Sequence, residues 1–307
     1  METTPEQLTL QSKGLQLTVA PRLGAKIVSL RTADGREWLW QDPRVPLTPR
    51  RYGDRYEMQN AGGWDECFPT IAPCVYPEEP WQGIALPDHG ELWTLPWEWR
   101  RTQDALETWV YGIRLPYRFE RWLRLAGARS LVAEYQVENL APYPLAVLWS
   151  AHPLFTAEAG TVLELPEGTP VLVDYSAGGR IPTGLEYHSW PHLSTSDGRR
   201  VDVSRFPGAQ AGVAEKLFTG RLADGRVTLR QPDGAAVTLS WNAAEISYLG
   251  LWINAGAWPS PDAPTAHIGL EPCTGYPDRL DRALQHGDYL RLGPREVRSW
   301  RFSLEFT

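Results

Sequence analysis

The sequence predicts an all-β fold, a large antiparallel β-sandwich with little helix, and three observations carry that expectation. Apolar residues recur at every second position: Leu15, Leu17 and Val19 flank Gln16 and Thr18, while Leu131, Ala133, Tyr135 and Val137 interleave with Val132, Glu134, Gln136 and Glu138. A period of two buries one face of a strand and leaves the other wetter. Asp-Gly pairs supply turn chemistry: Val227 and Leu229 lead through Asp233-Gly234 to Val237, Leu239 and Trp241, two strands joined by residues that tolerate positive φ. Finally, 27 glycines and 27 prolines interrupt every stretch long enough for a substantial amphipathic helix, leaving short strands and turns as the building material.

Taken in chain order, the strand around Leu15–Val19 is followed by Asp34-Gly35, a hairpin signal, and by a Pro-rich loop from Pro43 to Pro49. The aromatic, Pro-rich segment from Pro69 to Pro96 reads as a long loop laid over a sheet, and long loops in compact domains often carry function. Asp174 to Pro207 lacks apolar alternation and is expected to be irregular, although it contains Asp197-Gly198; Asp224-Gly225 is read as a further hairpin turn. No internal repeat or linker divides the chain, so residues 1–307 are expected to form one domain, as all-β sandwiches of roughly 200–250 residues often do.

Composition narrows the function classes. Hydrophobic residues make up 42% and charged residues 22%, ordinary globular usage. The net charge is -7 and the basic residues are dispersed, which argues against a nucleic-acid partner, whose footprint is a concentrated basic face, and against anionic membranes. The opening Met-Glu-Thr-Thr-Pro-Glu-Gln has neither a basic start nor an apolar stretch, and no apolar run approaches the ~20 residues that span a bilayer; a cytoplasmic location is expected. Cys67, Cys74 and Cys273 are odd in number and lack paired spacing, which fits reduced thiols rather than disulfides or a zinc site. The 15 tryptophans and 12 tyrosines fill cores, but they also offer flat apolar faces with polar edges to a ligand that carries both C–H faces and hydroxyls.

Four segments set polar groups among aromatic ones: Gly62-Gly63-Trp64-Asp65-Glu66-Cys67-Phe68-Pro69, Asp88-His89-Gly90, Ser150-Ala151-His152-Pro153-Leu154-Phe155 and Gly269-Leu270-Glu271-Pro272. Their order, with Leu249-Gly250-Leu251-Trp252 before the last, resembles that of the aldose 1-epimerase (galactose mutarotase-like) family, in its divergent bacterial form, over residues 60 to 280. The resemblance implies a galactose mutarotase-like sandwich, a sugar ligand, Glu271 as base, His152 as acid and His89 as a hydrogen-bond partner of the sugar. Two positions depart from the family pattern. The early loop reads Gly62-Gly63-Trp64-Asp65-Glu66 where better-known members carry Asn and Arg, and Glu215-Lys216-Leu217-Phe218 stands where they carry a sugar-binding Asp.

The chemistry supports the same pair. Interconverting anomers removes a proton from the C1 hydroxyl and delivers one to the ring oxygen, which asks for one base and one acid placed across the ring. A glutamate (reference pKa ~4.3) is ionised at neutral pH, and a histidine (~6.5) is protonated after a small environmental shift; no metal or organic cofactor is required. Trp64, Asp65 and Glu66 are expected as pocket residues, on a loop whose glycines let backbone approach a ligand, and Trp252 and Trp93 as an apolar wall for a pyranose C–H face. Asp65 and Glu66, adjacent on an extended segment, point to opposite faces and so make a poor glycosidase pair. His188, His192, His267 and His286 are read as solvated. The alternatives are a sugar-binding protein without turnover, suggested by the missing Asn and Arg, and a hexose-phosphate epimerase, for which Arg50, Arg51 and Arg55 would hold phosphate.

Overall fold

The computed structural model describes residues 5–260 and 262–307, and its framework is two antiparallel sheets packed face to face. The larger has twelve strands. Its central five, in spatial order, are Ser150–Phe155, Ala266–Cys273, Tyr248–Ala255, Val213–Thr219 and Pro170–Ser176; Trp64–Cys67 and Lys26–Thr32 continue the sheet on one side and Gly184–Ser189 on the other. The smaller has eight strands, with Val297–Phe306, Ser130–Asn139 and Tyr117–Leu125 at its centre. The only α-helix among the described residues, Leu280–His286, ends at Gly287 in the left-handed conformation.

Alternation sets the packing. Leu131, Ala133, Tyr135 and Val137 are buried and their neighbours in the strand are half-exposed, so one face of the smaller sheet meets the larger and the other meets water. Across the interface Trp64 packs on Phe302 with ring centroids 5.4 Å apart, and Trp149 lies 4.9 Å from Trp300. The central strands of the larger sheet do not alternate: Ser150–Phe155 is buried throughout, and Ala266–Cys273 nearly so. Loops from Pro43 to Pro96 cover their second face, with the 3-10 turn Tyr56–Met58 and the short hairpin of Cys74–Val75 with Ala85–Leu86.

Two local expectations change. The segment from Asp174 to Pro207 is not irregular throughout: Gly184–Ser189, His192–Ser194 and Arg200–Asp202 extend the edge of the larger sheet, with Asp197-Gly198 turning between the last two. These are short edge strands with little to bury, so they show no apolar alternation. Asp224-Gly225 is not a hairpin turn; it carries the chain from Val213–Thr219 in one sheet to Gly225–Arg230 in the other.

Candidate active site

A cavity of about 480 Å³ opens on the outer face of the larger sheet, over its five central strands. Strand periodicity puts it there. Ala151, Leu217, Leu251, Ile268 and Leu270 point into the core, so their neighbours His152, Lys216, Trp252, His267 and Glu271 point the other way and line the cavity. Register then sets the pair. Ser150 lies opposite Cys273 and Leu154 opposite Gly269, which brings His152 opposite Glu271, and His152 is also opposite Asp65 on the next strand. The result is one lateral row, Asp65–His152–Glu271, across three strands. Two glycines make room for the carboxylate. A Cβ at Gly269, two residues before Glu271 on the same face, would lie 2.8 Å from Glu271 Oε1, and one at Gly250, its cross-strand partner, 3.3 Å from Oε2.

Glu271 is fully buried and its two oxygens differ. Oε2 accepts a hydrogen bond from the Lys216 ammonium, while Oε1 has no hydrogen-bond partner and lies 3.6 Å from His152 Nε2. Lys216 is itself buried, 3.6 Å from Asp278 Oδ1. Burial alone would strip its proton, but Asp278 and Glu271 outweigh that and raise its pKa above the ordinary lysine value. The cavity therefore holds an ammonium–carboxylate pair with one carboxylate oxygen free.

His152 is oriented from behind. Its Nδ1 lies 3.2 Å from the Tyr56 hydroxyl, which lies 3.2 Å from Asp65 Oδ2. The hydroxyl also lies 2.9 Å from the Ala61 carbonyl, and its single proton goes to one of these two oxygens, neither of which can donate, so Nδ1–H donates to the tyrosine oxygen and Nε2 presents a lone pair to the cavity. Burial, then the nearby His89 and Lys216, push the His152 pKa well below its ordinary value, the reverse of the small shift expected from sequence. His89 stacks on Tyr56 at 3.8 Å and donates Nδ1–H to Asp88 at 2.9 Å, leaving Nε2 free. It is one of three described non-glycine residues with positive φ (57°), in a turn closed by Gly90, where a Cβ would strike the Phe68 carbonyl.

Of the remaining sequence-derived candidates, Trp252 lines the cavity and four others do not. Trp64 is buried in the inter-sheet core against Phe302. Glu66, also turned inward, accepts hydrogen bonds from Arg121, Tyr135 and Trp149. Asp65 lies beneath the cavity wall, bonded to Lys26 (2.5 Å) and Arg50 (2.9 Å), which offset its burial and hold its pKa at about 2. Trp93 sits behind Tyr56, edge-on at 5.1 Å, with Arg50 over its face. Gly62 and Gly63 admit neighbouring protein backbone, not a ligand: a Cβ at either would meet the carbonyl of Trp40 or Ile27. Arg50 is committed to Asp65, Arg55 pairs with Glu57, and among the described residues no arginine lines the cavity.

Several lining residues escaped the sequence. His267, read as solvated, is fully buried; it stacks on Trp40 at 4.1 Å and its Nε2 accepts the Trp252 indole N–H at 3.1 Å. Burial lowers its pKa to about 3, so the ring is neutral and Nδ1 carries the proton, with no protein acceptor. Tyr56 gave no signal in its polar run Arg55-Tyr56-Glu57. Asp278 becomes legible only once Glu271 is placed.

No family model matches the chain, and no curated protein does. Solved structures do match along its whole length. The Slr1438 protein of Synechocystis sp. PCC 6803 superposes with a TM-score of 0.74 at 20% identity, over 100% of this chain and 98% of that one. A galactose mutarotase-like protein from Lactobacillus casei ATCC 334 gives 0.65 at 17% identity, covering 98% and 100%. Another from Clostridium acetobutylicum gives 0.69 at 14%, covering 97% and 94%. In fold the chain is a galactose mutarotase-like sandwich.

Proposed function

We propose that this chain, on a galactose mutarotase-like sandwich, is an aldose 1-epimerase-like isomerase that interconverts the anomers of a hexose. Glu271 Oε1 takes the proton of the C1 hydroxyl; His152, in its protonated form, delivers one from Nε2 to the ring oxygen. The C1–O5 bond breaks, the aldehyde forms and rotates, and reclosure returns both protons. The observation that carries this reading is the unpartnered, buried Glu271 Oε1 beside His152 Nε2. The two groups stand side by side, 3.6 Å apart, and not across the ring as expected from the sequence; adjacent groups serve the reaction because the hydroxyl and the ring oxygen are both bonded to C1. Lys216 pairs with Oε2 and so fixes which oxygen of the carboxylate faces the substrate. Asp65 and Tyr56 fix the imidazole.

A free sugar fits better than a phosphorylated one. Among the described residues no arginine lines the cavity, and Lys216 is already balanced by Glu271 and Asp278; with Asp88, a phosphate would meet three carboxylates.

Polarimetry tests the reading. Fresh α-glucose and α-galactose are expected to reach equilibrium rotation faster with the protein than without it, and Glu271→Gln is expected to remove about 10²–10⁴-fold of that acceleration, the usual contribution of one proton-transfer group. Saturable sugar binding with no acceleration would replace the isomerase by a sugar-binding protein on the same site.

A further inference from the structure

We propose that the cavity continues past Trp258 into a second sugar subsite, so that the hexose it takes is the reducing end of a disaccharide or longer saccharide; this rests on the isomerase reading of the main cavity. A second pocket of about 240 Å³ lies against the first, lined by Trp40, Asp42, Arg44, Gln59, Trp258 and Pro259 among others. Trp258 borders both. Its ring stands edge-on at 6.1 Å to both Trp252 and His267, and Trp40 stacks on His267 at 4.1 Å. An unbroken aromatic strip therefore runs from the wall of the main cavity into the second pocket. Such faces receive the C–H sides of sugar rings.

The polar groups of the second pocket suit neutral hydroxyls. Asp42 is buried and fixes Arg44 through Nε and Nη2, both at 2.8 Å. That engages two of the five guanidinium N–H groups and leaves the others, held in a plane, to face a ligand. Asp42 neutralises the arginine, so the pair favours a hydroxyl-rich ligand over an anion. A pair two residues apart at the surface contributes little to stability, and Arg44 has no hydrogen bond to any other residue among those described. In the wall of the main cavity, His267, stacked on Trp40 of the second pocket, is left with a buried N–H that no atom of the described residues accepts. An aromatic strip, a preset planar donor and an orphaned donor within that strip are the parts of a saccharide site.

Calorimetric titration with glucose, galactose, maltose, cellobiose and lactose tests the subsite. At least one disaccharide is expected to bind about tenfold tighter than its own reducing-end monosaccharide. That ratio is expected to fall to within about threefold in Arg44→Ala, which removes the planar donor, and in Ala263→Trp, which fills the pocket from its rim. Both positions are at least partly exposed, so neither change threatens the fold. A ratio at or below one in the wild type, or a preference that survives both variants, overturns the subsite while leaving the main cavity standing. Absence of binding by every mono- and disaccharide overturns the isomerase reading, and the subsite with it.

Discussion

Glu66 and Glu271 make a controlled comparison. Each sits on the larger sheet, is fully buried and is paired with a buried basic residue, Arg121 or Lys216. They differ in what remains unfilled. Arg121, Tyr135 and Trp149 occupy both oxygens of Glu66, which cross-links the two sheets. Glu271 keeps Oε1 without a partner, under a cavity and beside an imidazole. Burial and ion pairing alone therefore do not mark a site, because structural networks have both. An empty hydrogen-bonding position facing a cavity does, since a buried polar atom left unpaired is costly unless a ligand completes it.

The strongest way to break the comparison is to make the same change at both glutamates. Glu271→Gln is expected to abolish most catalysis while the urea midpoint moves little, because Asp278 remains near Lys216. Glu66→Gln is expected to do the opposite, lowering unfolding stability by about 3–5 kcal/mol, since Arg121 is left as an uncompensated buried charge, with the folded fraction still active. Equal losses of rate, or equal losses of stability, would erase the distinction.

A second prediction concerns protons. His152 is held neutral by burial and by the charges of His89 and Lys216, so its acidic form is a minor species at neutral pH. The isomerisation rate is expected to climb as pH falls from 8 to 6, by up to about tenfold per unit. Lys216→Met removes one of the depressing cations, so the His152 titration, followed by imidazole NMR, is expected to move to higher pH and carry the climb with it. A climb that stays in place when the NMR midpoint moves would mean that another group supplies the proton.

The two sheets also differ in how much the sequence shows. The smaller one has water on its outer face, so the alternation of Leu131 to Val137 announces it. The centre of the larger sheet is covered on both faces, which erases alternation and with it the difference between wall and core. Trp64 and Glu66 could thus be mistaken for pocket residues, although Asp65 and Glu66 do point to opposite faces as an extended segment requires. His152, His89 and Glu271 were found through the order of motifs, and register explains why the first and last meet. Lys216 did leave a trace. The chain has three lysines among 30 basic residues, and two of them, Lys26 and Lys216, stand in apolar strands and pair with buried carboxylates. Where arginine is the habitual cation, a lysine between Ala214 and Leu217 marks a position that needs a compact point charge. Tyr56 reaches the site through a loop whose path no periodicity encodes.

The smallest expected effect separates a neutral wall histidine from a solvated one. His267 titrates at about 3 in the folded chain, against an ordinary 6.5, because burial disfavours its charge. The unfolded chain therefore binds a proton below pH 6.5 that the folded chain refuses. By linkage, the stability that neutral His267 contributes is fully present above pH 6.5 and is lost as pH falls towards 3, by about 1 kcal/mol per pH unit within that window. His152, also depressed, adds to the same slope. His267→Gln keeps an acceptor within reach of the Trp252 indole, which donates to Nε2, and cannot titrate, so its urea midpoint is expected to fall less steeply between pH 6 and 4 than that of the wild type. His286→Asn, at an exposed position at the end of the helix, is expected to follow the wild type. If the two variants show the same slope, His267 is reached by water and does not offer the fixed, neutral donor assigned to it in the cavity wall.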